Sequence, residues 1–187
     1  MRKTANSIPV VPYTISSHRR LHHQNGFTVT EEITAYHEAG HVLMAVQVGA
    51  RVHSVTIDPD WDDGPARFGD AQISWPDDLF DEKTFLEKTI LVALAGPVVE
   101  MIHTGDPFHP ALVGEWSGDW QQALRAAAIL IPQRQARLQY LEQKTLTLYQ
   151  LFRTDAYWSA IGELVDQLLA HETLEEDMIN EIISTWI

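Results

Sequence analysis

The pattern H-E-A-G-H at residues 37–41 constrains the fold of this chain more than any other segment. Its two histidines are four residues apart, and residues at that spacing share one face of an α-helix. The small and apolar residues around the pattern recur with a helical period, so we predict a helix from about Glu31 to Val48. Thr28 and Glu31 have the spacing of a capping box at its start, and Gly49 is a suitable stop.

On a helix, this pattern is typical of a catalytic zinc site. The imidazoles of His37 and His41 can bind one ion, and a catalytic zinc keeps one position open for water. Glu38 can take a proton from that water and pass it to a leaving amine. The competing interpretation is an amphipathic helix with partly exposed histidines. We predict a zinc-dependent peptidase in which Glu38 is the catalytic base.

A catalytic zinc site needs a third protein ligand. Asp119 lies in the first turn of a predicted helix, where a carboxylate also suits the helix dipole or a cap. Glu100 lies on an apolar helix, where a carboxylate needs a partner. Spacing alone leaves the choice open among all the candidates, which are Glu100, His103, Asp106, His109, Glu115 and Asp119.

Composition narrows the classes of protein that fit. The 187 residues suit one domain, and a hydrophobic content of 45% is enough for a core. The absence of cysteine excludes a thiolate zinc finger and a cysteine nucleophile. A net charge of −13 disfavours nucleic acid as a partner. The most apolar run, Ile90–Ile102, is too short to cross a bilayer, and the N-terminus lacks a signal pattern. We predict a cytoplasmic protein with no membrane span.

The periodicity predicts a mainly α-helical fold with a small antiparallel β element after the histidine-containing helix. Residues 1–27 are predicted as a flexible N-terminal arm, and residues 28–187 as one domain. The predicted strands are Val52–Ile57 and Ala71–Trp75. The later predicted helices are Lys83–His103, either continuous or divided near Pro97, then Ser117–Ile131, Gln133–Phe152, Asp155–Leu169, and a last helix to about Trp186 that opens with a Thr173/Glu176 capping box.

Several segments occur in an order that is similar to a known family. They are TAYHEAGH at 34–41, the strand 52–57, LVALAGPVVE at 91–100, SGDWQQA at 117–123 and AHETL at 170–174. Together they resemble the peptidase domain of FtsH-type ATP-dependent zinc metalloproteases, over roughly residues 28–187.

The resemblance implies a role for each matching residue. His37 and His41 would bind zinc, Asp119 would be the third ligand and Glu38 the base. Glu100 would lie beside the site and orient a ligand imidazole. The chain departs from the family at Pro97, where the family has arginine, and it contains no G-x-x-x-x-G-K-[ST] motif of an ATPase.

Three hypotheses of function follow. The first is a stand-alone, ATP-independent zinc endopeptidase that hydrolyses peptides or unfolded proteins. The second is a weak or inactive peptidase-like zinc protein that acts as a regulatory subunit, with a separate ATPase as a candidate partner. The third is a different protease of the same motif, with narrow specificity and a third ligand other than Asp119. No oligomeric state is predicted.

Overall fold

The computed structural model describes residues 13–16, 27–58, 69–76, 80–105 and 116–187, and it describes side chains from residue 31 onward within those ranges. There the chain is mainly α-helical with one small antiparallel sheet, which confirms the predicted fold class. The elements in chain order are β1 (Tyr13–Ser16), α1 (Phe27–Gln47), β2 (Arg51–Thr56), β3 (Asp70–Ser74), α2 (Glu82–Thr104), α3 (Ser117–Leu130), α4 (Arg134–Phe152), α5 (Asp155–His171), β4 (Thr173–Glu175) and α6 (Glu176–Trp186).

Helices α1 and α2 pack against each other at the centre of the molecule. Gly40 on α1 makes the contact close, because a Cβ at this position would lie 2.7 Å from the carbonyl oxygen of Ala95 on α2. Helix α2 is continuous through Pro97, so the first of the two predicted alternatives for this segment is confirmed. Its N-terminus is capped by Asp81, whose carboxylate accepts a hydrogen bond of 2.8 Å from the backbone N–H of Thr84.

The other helices surround this pair. Helix α5 packs on α1, while α3 and α4 pack on α2. Their inward-facing apolar side chains are buried, as are those of α1 and α2, so the helices share one core. Asp119 in the first turn of α3 is thereby brought to the junction of α1 and α2.

The sheet has four antiparallel strands in the order β1-β3-β2-β4. The predicted pairing of the two central strands is confirmed, with Val52 opposite Ile73 and a bulge between Val52 and Ser54. Strand β1 lies within the segment predicted as an arm. The rest of that arm, residues 1–12 and 17–26, lies outside the described residues, as do most of the predicted loops at 58–69 and 104–116.

Both predicted capping boxes are wrong. Helix α1 begins at Phe27, so Thr28 lies inside the helix instead of before it. Thr173 lies in β4 opposite Thr56, and its hydroxyl donates a 2.8 Å hydrogen bond to the Thr56 hydroxyl oxygen. Strand pairing therefore uses the threonine that the sequence pattern assigned to the start of α6.

Within the described ranges, no helix combines the length and the apolar character that a bilayer crossing requires. The cytoplasmic location stays a prediction.

The close contact of α1 with α2 gives a first testable prediction. Gly40→Ala should lower the free energy of unfolding by roughly 1–3 kcal/mol, because the new methyl group meets a backbone oxygen that cannot move independently. Urea unfolding of the metal-free protein measures this change.

The matched control is Gly162→Ala on α5, where a Cβ would meet nothing within 4 Å. This variant should be more stable by up to about 1 kcal/mol, because alanine is the better helix former. If Gly40→Ala were as stable as Gly162→Ala, the helices would not be held as closely as the structure shows.

Candidate metal centre

Three side chains converge where α1, α2 and α3 meet. The Nε2 atoms of His37 and His41 are 3.0 Å apart, and the carboxylate of Asp119 approaches them with Oδ2 3.1 Å from His37 Nε2 and Oδ1 3.6 Å from His41 Nε2. One donor atom from each residue lies within 4.8 Å of the other two. All three residues are buried. Two imidazole nitrogens and one carboxylate oxygen are the donor set of many catalytic zinc sites.

The outer nitrogen of each imidazole is held by helix α2. His41 Nδ1 donates a 2.8 Å hydrogen bond to the backbone carbonyl oxygen of Val92. Because a carbonyl only accepts, Nδ1 carries a proton and Nε2 is the ring nitrogen that faces Asp119. His37 Nδ1 donates to Glu100 Oε2 over 2.8 Å. Partners of this kind fix the ring orientation of metal-binding histidines.

The charge balance of the cluster calls for a cation. Burial by itself lowers the pKa of His37, but its hydrogen bonds to Asp119 and Glu100 outweigh burial and raise the pKa to about 10. Burial raises the pKa of Asp119, but the neighbouring charges of His41 and His37 outweigh burial and lower it to about 2. Without a metal, a proton on His37 Nε2 supplies the positive charge between the donor atoms. The cluster therefore fits a divalent cation that takes the place of this proton.

Glu38 is fully buried next to the first histidine. Its side chain packs against Gly69, the residue before β3, since a Cβ at residue 69 would lie 2.6 Å from Glu38 Oε1. Gly96 has a similar relation to His41, because a Cβ there would overlap the imidazole ring. These two glycines leave the space that the buried side chains occupy. Neither glycine was predicted from the sequence to belong to the site, and their residue type is the one sequence feature that could have indicated it.

Of the remaining candidates for a third ligand, the structure describes His103 and Glu100. The ring of His103 stacks on Tyr36 with centroids 3.7 Å apart, and its Nε2 is 3.7 Å from Glu32 Oε1. His103 is outside the group of converging donors. Glu100 contacts the outer nitrogen of His37, not the inner one. The other candidates, Asp106, His109 and Glu115, lie outside the described residues.

Comparison with models of known protein families gives no match. Among curated proteins, the chain is similar to one described as ATP-dependent zinc metalloprotease FtsH 1, from Alkaliphilus metalliredigens (strain QYMF). The two are 28% identical over 182 aligned positions, and the alignment covers 83% of this chain and 30% of that protein. The chain thus spans less than a third of the length of its relative. The similarity supports a protein of the zinc metalloprotease kind.

The contact between His37 and Glu100 gives a prediction about metal affinity. Glu100→Gln keeps an oxygen acceptor but removes the negative charge that favours His37 as a ligand, so zinc affinity should fall by about 10–100-fold. Competition with a chromophoric chelator measures the affinity. The control is Glu87→Gln, which removes a charge from the same helix at a solvent-accessible position. Equal zinc affinities in the two variants would contradict the role of Glu100.

The raised pKa of His37 predicts that zinc binding releases a proton. Below pH 10 the metal-free His37 is protonated, and zinc must displace that proton from Nε2. Asp119 is already ionised at neutral pH and releases none. The apparent affinity should therefore rise by at least about tenfold per pH unit between pH 6 and 8. Titration calorimetry in two buffers of different ionisation enthalpy counts the protons, and a count of zero would refute the argument.

Proposed function

We propose that this chain is a zinc-dependent endopeptidase that hydrolyses peptide bonds in peptides or unfolded proteins. The observation that carries the proposal is the convergence of His37, His41 and Asp119. Glu38 follows His37 on α1, the helix that carries both histidines. The similarity to a zinc metalloprotease supports the same reaction class. The groups that this chemistry needs all come from one chain, so the proposal includes activity without ATP.

Each residue has a separate task in the proposed reaction. His37, His41 and Asp119 would hold the ion, while Glu100 and the carbonyl of Val92 orient the two imidazoles. Zinc, when bound, lowers the pKa of a bound water molecule and polarises the scissile carbonyl. Glu38 receives the proton of the attacking water on its carboxylate and delivers it to the leaving amine.

The surroundings of Glu38 suit this task. The side chain is fully buried and Gly69 lies against it, so few orientations are open to the carboxylate. Restricted groups lose little entropy when the reaction begins. Burial also lowers the local dielectric, which strengthens the interaction of the carboxylate with a nearby ion.

The burial of the site supports a flexible substrate. The three proposed ligands are at most 2% exposed, so a peptide bond must be brought to them in an extended segment of chain. Peptides and unfolded proteins present such segments readily, whereas a folded protein keeps its backbone paired.

Glu38→Gln is the decisive variant. Glutamine has nearly the same shape but cannot accept the proton, so casein cleavage should fall by about 10²–10⁴-fold while the zinc content stays at the wild-type level. The assay uses zinc-loaded protein without ATP and follows soluble fragments by mass spectrometry.

Two controls separate the role of Glu38 from general damage. Glu87→Gln on α2 should cleave casein like the wild type, and chelator treatment should abolish cleavage until zinc is restored. Undiminished cleavage by Glu38→Gln would refute the proposed mechanism.

A second function is a zinc-binding subunit that does not cleave and depends on a partner such as a separate ATPase. Pro97, which stands where the related family has arginine, favours it, because this residue follows Gly96 at the His41 ring. A zinc-loaded wild type that leaves casein intact would support this function. Full zinc retention by Asp119→Ala would instead support a different protease with another third ligand.

A further inference from the structure

Strand β1 pairs with the edge of β3 that β2 leaves open. It pairs antiparallel with β3, with Tyr13 opposite Ile73 and Ser16 opposite Asp70. The other edge of β3 is already paired with β2. In the part of the chain that the structure describes, both edges of β3 are thus paired, one with β2 and the other with β1, a segment of the same chain.

The register of β1 with β3 relates the place of β1 to Glu38. Gly69 directly precedes Asp70 and packs on the Glu38 carboxylate. Paired strands lie about 4.8 Å apart. An extended peptide in the place of β1 that continued past the position of Ser16 would therefore bring its next residue opposite Gly69, about 5 Å from the backbone that contacts Glu38.

The second wall of this position is α3. Helix α3, which supplies Asp119, also contacts β1. Strand β1 therefore lies between β3, which leads to the proposed base, and α3, which carries a proposed ligand. Both neighbours would serve an extended peptide in this position. The edge of β3 would supply backbone hydrogen bonds, and α3 would confine the peptide on the other side.

We propose that Tyr13–Ser16 is an intramolecular competitor of the substrate: it occupies the edge of β3 on which an extended peptide must pair to reach Glu38, and a substrate binds when β1 leaves. This inference rests on the proposed function, because only a peptidase would take the incoming strand as its substrate. The protein would thus regulate access to its own site.

Strand β1 is suited to such an exchange because it is short. Its four residues form one ladder with β3, and a strand pairing of this length is marginally stable by itself. Its attachment to the chain nevertheless gives it a high effective concentration at β3. A substrate would then bind with an apparent affinity reduced by the fraction of molecules in which β1 is paired.

A reversible disulfide between β1 and β3 tests the proposal. Thr14 and Gln72 are register partners, and the Cα atoms of antiparallel partners lie within the range that a disulfide spans. The chain has no cysteine, so Thr14→Cys with Gln72→Cys forms one defined bond. Full-length protein also carrying Glu38→Gln is loaded with zinc, and binding of a short fluorescein-labelled casein peptide is measured by anisotropy before and after reduction.

Oxidised protein should bind the peptide at least about tenfold more weakly than the same protein after reduction. In the control, which carries Gln72→Cys without Thr14→Cys, the affinity for the peptide should be the same before and after reduction. Equal affinity in both forms, no binding in either form, or failure of the disulfide to form would each overturn the proposal. Because Glu38→Gln removes the proposed base, this result is independent of cleavage, and a wild type that binds but does not cleave would refute only the proposed function.

A second variant acts in the opposite direction. Adjacent backbone N–H groups of a strand point to opposite sides, so one of the two at Thr14 and Ile15 faces β3. Thr14→Pro with Ile15→Pro removes both groups and therefore the one that bonds to β3. This variant should bind the casein peptide several-fold more tightly than wild type in the Glu38→Gln background. Thr14→Ala with Ile15→Ala keeps both N–H groups and is the control. Peptide affinity no higher in the proline variant than in the alanine variant would overturn the proposal.

Discussion

The close contact of α1 with α2 determines how the two imidazoles of the candidate site are held. Gly40 allows the backbone of α2 to approach α1, and Gly96 leaves room for the ring of His41. The same approach brings Glu100 and the carbonyl of Val92 within hydrogen-bond distance of the two imidazoles. The contact that buries apolar surface therefore also orients the proposed histidine ligands. A change that separates the two helices would also disturb the geometry of the site.

The same packing places ionisable groups in the core, where each unpaired charge costs several kcal/mol. Asp119 and Glu100 flank His37 on both sides, so the negative charges have a partner as long as His37 holds a proton or its inner nitrogen binds a cation. This cluster links the stability of the fold to occupation of the site. A divalent cation that bound here would stabilise the folded chain relative to the metal-free one.

The local parts of the structure could be predicted from sequence, and the non-local parts could not. Helical periodicity gave α2 to α6 to within a few residues, and the spacing of two histidines indicated a shared helix face. The capping box predicted at Thr173 was wrong because threonine suits both a helix cap and a strand. The outcome depended on pairing with Thr56, which is far away in the chain. The contact of Gly69 with Glu38 likewise has no local signal. Resemblance to a family, and not spacing, singled out Asp119 as the proposed third ligand.

The hydrogen bond from His41 to the carbonyl of Val92 has a consequence for how such a sequence can diverge. The acceptor belongs to the backbone, so replacing Val92 with another apolar residue of similar volume would leave it in place. Glu100 has no such freedom, because its contact with His37 depends on the side chain itself. Over evolutionary time, position 92 can drift while position 100 is held. Half of what orients the two imidazoles would then leave no trace when distant sequences are aligned.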